Sequence, residues 1–124
     1  MLIGMLLCCG CGNEENQDKM SPLDYVIVKE EDIPSELLSI LEEKKNLPFK
    51  ITYEDHNVLY IATGYGERSS GGYSIQIKEA GVRSDAIYFK TELIGPKKEH
   101  RTEGTKSYPY IVIQTIHHDQ PVVF

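Results

Sequence analysis

Phe49-Lys50-Ile51-Thr52-Tyr53-Glu54-Asp55-His56-Asn57-Val58-Leu59-Tyr60-Ile61-Ala62 is the stretch that decides the fold. Phe49, Ile51 and Tyr53 alternate with Lys50, Thr52 and Glu54, which is the period of a strand with one wet face. Asp55-His56-Asn57 supplies turn residues, and Val58 to Ala62 is apolar at nearly every position. A strand apolar on both sides is covered on both sides, so this segment predicts a hairpin whose second strand is central.

Outward from the hairpin the same period recurs. Tyr73, Ile75 and Ile77 alternate with Ser74, Gln76 and Lys78, and Ile87, Phe89, Thr91 and Leu93 repeat the pattern until Gly95-Pro96 ends it. Tyr108 to Thr115 predicts a further strand, entered through Pro109, and Val122-Val123-Phe124 a last short one. The charged, aperiodic residues 97–107 predict an exposed loop. Upstream, Tyr25-Val26-Ile27-Val28 reads as a buried strand. Ile33, Leu37, Leu38 and Leu41 then fall at helical spacing, with Asp32 as cap and Pro34 near the start. The expected fold class is mainly β (α+β): an antiparallel sheet forming a small sandwich or partly open barrel, with one N-terminal amphipathic helix.

The 124 residues are read as three parts: an export signal at 1–11, a flexible tether at 12–23, and a single β-rich domain at 24–124. The apolar Met1 to Leu7 stops at Cys8-Cys9-Gly10-Cys11. This run is too short to span a bilayer. Small residues ahead of a cysteine resemble the lipobox of bacterial lipoproteins, which implies lipidation at Cys11 and a place on the outer side of the bacterial cytoplasmic membrane. All three cysteines lie in the first twelve residues, so the domain has neither a disulfide nor a thiolate metal site. The formal charge of −6 falls after that segment and argues against nucleic acid, whose phosphates need clustered Lys and Arg.

Between two predicted strands lies Gly64-Tyr65-Gly66-Glu67-Arg68-Ser69-Ser70-Gly71-Gly72-Tyr73. Hairpin loops usually run about two to five residues, so a longer glycine-rich one predicts a shaped contact surface. The candidate partner-binding residues are Tyr65, Arg68, Ser70, Gly71, Gly72, Tyr73 and Tyr108. The opening glycines imitate a dinucleotide fingerprint, but a strand follows where a helix is required. Neither Ser69 nor Ser70 is framed as a nucleophile elbow. His117 and His118 are consecutive and point to opposite faces of an extended chain. No catalytic residue, metal site or cofactor is therefore expected, and an enzyme is not the expected class.

The Ser70-Gly71-Gly72-Tyr73 run, with Ser107-Tyr108-Pro109-Tyr110 at a later strand, resembles the PrcB C-terminal domain family of small bacterial envelope domains. The resemblance covers about residues 58–124, with residues 66–73 and 107–110 as its distinctive marks. It implies a non-catalytic, lipid-anchored binding module that assembles with or stabilises an extracytoplasmic protein such as an exported protease. The alternative is a peptidase inhibitor using the loop 66–73. Ser-Ser-Gly-Gly-Tyr is similar to the Thr-Thr-Gly-Tyr loop of chagasin-type inhibitors, whose Arg-Pro-Trp motif has no counterpart here.

Overall fold

The computed structural model describes residues 19–98 and 102–124. The segment read as an export signal, with Cys11, and the expected tether up to residue 18 lie outside the described residues. Among the described residues the elements are β1 (Ser21–Pro22), β2 (Val26–Ile27), the 3₁₀ turn Glu30–Asp32, α1 (Ser35–Lys44), β3 (Pro48–Asp55), β4 (Val58–Tyr65), β5 (Arg68–Gly71), β6 (Ser74–Val82), β7 (Ile87–Ile94), β8 (Thr102–Ser107), β9 (Tyr110–Ile116) and β10 (Val122–Val123).

The strands form two four-stranded sheets, β1-β6-β7-β10 and β2-β9-β4-β3, and a separate two-stranded piece, β5-β8. All pairs are antiparallel except β7 with β10. The deciding hairpin is present in full, with Asp55 opposite Val58 and Pro48 opposite Tyr65. His56 and Asn57 carry φ of 49° and 67°, the left-handed pair that a two-residue turn matched to strand twist requires. Central β4 lies between β3 and β9.

Alternation along β4 and β9 splits their side chains between two cores. Leu59, Ile61, Ile111 and Ile113 meet Ile87 and Phe89 of the other sheet, with Leu23 alongside. On the opposite face, Ala62 and Val112 are covered by Ile33 and by Leu37 and Leu41 of α1. The molecule is thus layered as helix, sheet and sheet: a sandwich with one helix and no closed barrel. Gly64 suits the centre of this middle sheet for a steric reason. Phe49 stands directly across from it, and a Cβ at Gly64 would come within 2.1 Å of the Phe49 ring. The aromatic ring occupies the space that the missing side chain leaves.

Several expectations change. The stretch read as tether joins the fold before residue 24: Ser21 and Pro22 pair with Val82 and Gly81, and Leu23 is buried in the core. A polar run gave no sign of this because its pairing uses backbone alone. Val26 and Ile27 are an edge, not a buried strand, and are 61% and 55% exposed. They pair only with β9. Asp32 does not cap α1; Pro34 holds that position, and the acidic run Glu30–Asp32 closes a separate 3₁₀ turn. The predicted loop at 97–107 contains β8, and the glycine-rich stretch contains β5. Among the described residues no helix is long and apolar enough to cross a membrane.

Candidate functional site

β4 ends at Tyr65, and Gly66 then turns the chain with φ of 81°, a conformation that costs an L side chain energy. Space is tight as well, since a Cβ there would lie 3.0 Å from the Pro48 ring. β5 leaves both sheets and pairs only with β8, making a two-stranded arm. Its register shifts between Arg68 and Ser70. Gly72, with φ of 88°, returns the chain into β6. Two of the four glycines at 64–72 are therefore spent on left-handed corners at the two ends of β5.

The arm is fastened at its base. Tyr65 N–H donates to Pro109 O at 3.0 Å, Glu67 N–H to Asn46 O at 3.2 Å, and Ser107 Oγ–H to Ser70 O at 2.6 Å. Two side-chain groups flank this base. In the first, the Tyr108 hydroxyl donates to Glu67 at 3.2 Å, Lys106 Nζ lies 3.5 Å from the same carboxylate, and Lys45 Nζ sits 4.9 Å over the Tyr108 ring. Lys45 also pairs with Glu42 at 3.0 Å, whose hydrogen bond holds the ammonium above its usual pKa. In the second group, Arg68 Nη2 donates to Tyr65 O at 3.2 Å and its guanidinium lies 5.7 Å from the centre of the Tyr73 ring. The Tyr65 hydroxyl bonds to Thr91 Oγ1 of β7, tying the arm's root to the other sheet.

The structure thus brings Tyr65, Arg68 and Tyr73 together and sets Tyr108 in the other group. Gly71 and Gly72 close the end of β5. Ser70 is a correction: as a contact residue it was expected at the surface, yet it is 4% exposed, because β5 is a paired strand rather than an open loop. Lys45, Thr91 and Lys106 were not singled out by the sequence reading as site residues. They lie on separate elements, and no spacing along the chain announces their meeting.

The base of the arm offers aromatic rings, the three cations Lys45, Arg68 and Lys106, and the Glu67 carboxylate, with Ser69 exposed. Among the described residues no group of three His, Cys, Asp or Glu side chains could hold a metal ion. His117 lies elsewhere, at the end of β9. Its Nδ1 is 2.6 Å from Glu54 and its Nε2 2.9 Å from Asp119. Both bonds need an N–H, so the hydrogen bonds to Asp119 and Glu54 raise the His117 pKa above its ordinary value. A raised folded pKa means that protonation favours the native state. That stabilisation is complete below about pH 6.5, the unfolded value, and is lost as pH rises through the folded one. Urea midpoints across this range should fall with rising pH for the native chain and stay flatter for His117→Gln; equal slopes would show the two bonds to be without consequence.

A helix-backed sandwich of two four-stranded sheets with a separate two-stranded arm defines the class, a small β-domain with one helix. Residues 59–115 match the family model described as PrcB C-terminal, which supports a likeness of this stretch to that family. The match runs from β4 to β9 and so contains the whole arm. No curated protein and no solved structure matches the chain.

Proposed function

We propose that this protein is a non-catalytic binding module of the bacterial cell envelope, anchored by a lipid at Cys11, that assembles with or stabilises an exported protein through the β5-β8 arm. The family's association with a protease complex makes an exported protease the first partner to test. One observation carries the reading: the glycine-rich stretch is built as a strand pair outside both sheets, fixed at its root by Tyr65, Glu67 and Ser107, where a simple connection between β4 and β6 would have needed far fewer residues. The net charge of −6 disfavours direct adsorption to anionic lipid, which gives an attached acyl chain its purpose. The inhibitor alternative finds no support in the geometry, since Ser70 and Gly71 belong to a paired strand and are not free to enter a peptidase cleft.

The test compares the intact protein with a Gly72→Val variant in crosslinked envelopes of the native host. Valine at φ of 88° is strained, so the corner that returns β5 to β6 should be displaced while the two sheets stay folded, as checked by circular dichroism. The expected result is enrichment of one exported protease by the intact protein and its loss with the variant. Equal capture by both would remove the arm from the interface. A Cys11→Ala variant should leave the membrane fraction, and its retention there would refute the lipid anchor.

A further inference from the structure

The two sheets are of unequal extent along one side of the sandwich. β10 pairs with β7 only at Ile87 and Tyr88, whereas β7 runs on to Ile94, and no described strand pairs with that side of β7 beyond this point. Ile87 N–H donates toward β10, to Pro121 O at 2.8 Å. By the two-residue repeat, Thr91 and Leu93 direct their backbone groups the same way, outward. In the facing sheet, edge strand β3 turns Lys50, Thr52 and Glu54 toward the layer where a continued β10 would lie, and all three are exposed. One strand's width is missing from the sandwich.

A cavity of about 300 Å³ fills that place, lined by Lys50, Thr63, Tyr65, Phe89, Lys90, Thr91 and, at its β10 end, Phe124. Thr63 is 3% exposed and its hydroxyl has no hydrogen-bond partner, a loss a buried polar group seldom sustains. No acidic side chain lines the cavity, and two ammonium groups flank it in a chain of net negative charge. Lys90 already shows what it can hold, since its Nζ donates to the main-chain carbonyl of Phe124 at 2.9 Å.

We propose that the free edge of β7, residues 89–94, accepts an extended segment of a partner polypeptide as an added strand, with an Asp or Glu side chain of that segment placed between Lys50 and Lys90. Main-chain bonds to Thr91 and Leu93 supply affinity, as in other strand-addition complexes, and the lysine-flanked cavity selects the acidic residue. The incoming carboxylate also offers the Thr63 hydroxyl its missing acceptor. This surface adjoins the root of the β5-β8 arm at Tyr65 and Thr91 but not the arm's strands, and it rests on the proposed function only in taking a polypeptide as its ligand.

A randomised heptapeptide library displayed on phage and selected against the folded protein provides the probe. Selected peptides should alternate β-forming residues around a central Asp or Glu, and their synthetic forms should slow hydrogen exchange at the Thr91 and Leu93 amides. Lys50→Glu, an exposed change that leaves both cores intact, should weaken binding about tenfold or more, and Lys90→Glu likewise. Thr91→Pro removes an edge donor and should abolish binding, with folding checked by its thermal melt. Peptides without acidic residues, affinity unmoved by either lysine change, or no selected peptide at all would overturn the proposal. Protection confined to β5 and β8 would also overturn it while leaving the arm's binding role standing, and loss of capture by Gly72→Val tests that role independently.

Discussion

Phe89→Ala should lower the unfolding free energy by about 3 to 5 kcal/mol, the usual cost of removing a buried aromatic side chain. Phe89 is 1% exposed and projects from β7 into the layer between the sheets, among Leu59, Ile61 and Ile113. It also meets the Phe124 ring edge-on at 6.5 Å, an arrangement worth about 0.5 to 1.5 kcal/mol beyond burial. Little could collapse into the space, because its neighbours sit on hydrogen-bonded strands whose spacing is fixed. Small domains hold only about 5 to 15 kcal/mol in all, so the variant should melt well below the native protein. Urea unfolding with an unchanged m-value measures the loss; a value under about 1.5 kcal/mol, the scale of a tolerated swap, would mean that the sheets close over the gap.

The position of Phe89 was legible in the sequence because alternation survives wherever a strand has one packed face. Ile87, Phe89, Thr91 and Leu93 show it, and so do Phe49, Ile51 and Tyr53 against α1. The doubly apolar Val58 to Ala62 announced a central strand for the same reason. The arm was not legible. β5 reads Arg-Ser-Ser-Gly and β8 reads Thr-Glu-Gly-Thr-Lys-Ser, and with neither strand part of a core, nothing imposes a period of two on their side chains. Their pairing is carried by backbone groups that every residue possesses. Val26 and Ile27 misled in the opposite direction: β-branched residues signalled a strand correctly, yet burial depends on neighbours that only the tertiary arrangement supplies. The glycines marked where the chain would turn, while Tyr65 draws its partner Thr91 from β7 and Tyr108 draws Lys45 from just after α1 and Glu67 from just before β5, and these meetings left no local trace.

The family match begins at residue 59, after α1 and β3, which raises the question of whether the helix is an appendage or part of the folding unit. Packing favours the second. Ala62 and Val112 lie within the matched strands and are 1% and 2% exposed only because Ile33, Leu37 and Leu41 cover that face of the sheet. Leu37 and Leu41 are both fully buried, one turn apart on α1, and each truncation to alanine should cost about 2 to 5 kcal/mol. A ten-residue helix is not stable by itself in water, so the two changes together should undock it rather than leave it loosely seated. The double variant Leu37→Ala/Leu41→Ala is therefore expected to lose most of the domain's stability, with helix and sheet signals disappearing in one transition. Tyrosine near-ultraviolet dichroism reports the sheets through Tyr53, Tyr60 and Tyr110, which pack against this second core. If that signal persisted to high urea after the helical signal had gone, the sandwich would stand without its helix, and the arm's foundation would be the two sheets alone. A single shared transition would instead make α1 a condition for holding β3 and β4 in place, and through Asn46 and Lys45, which follow the helix and touch Glu67 and Tyr108, a condition for the root of the arm.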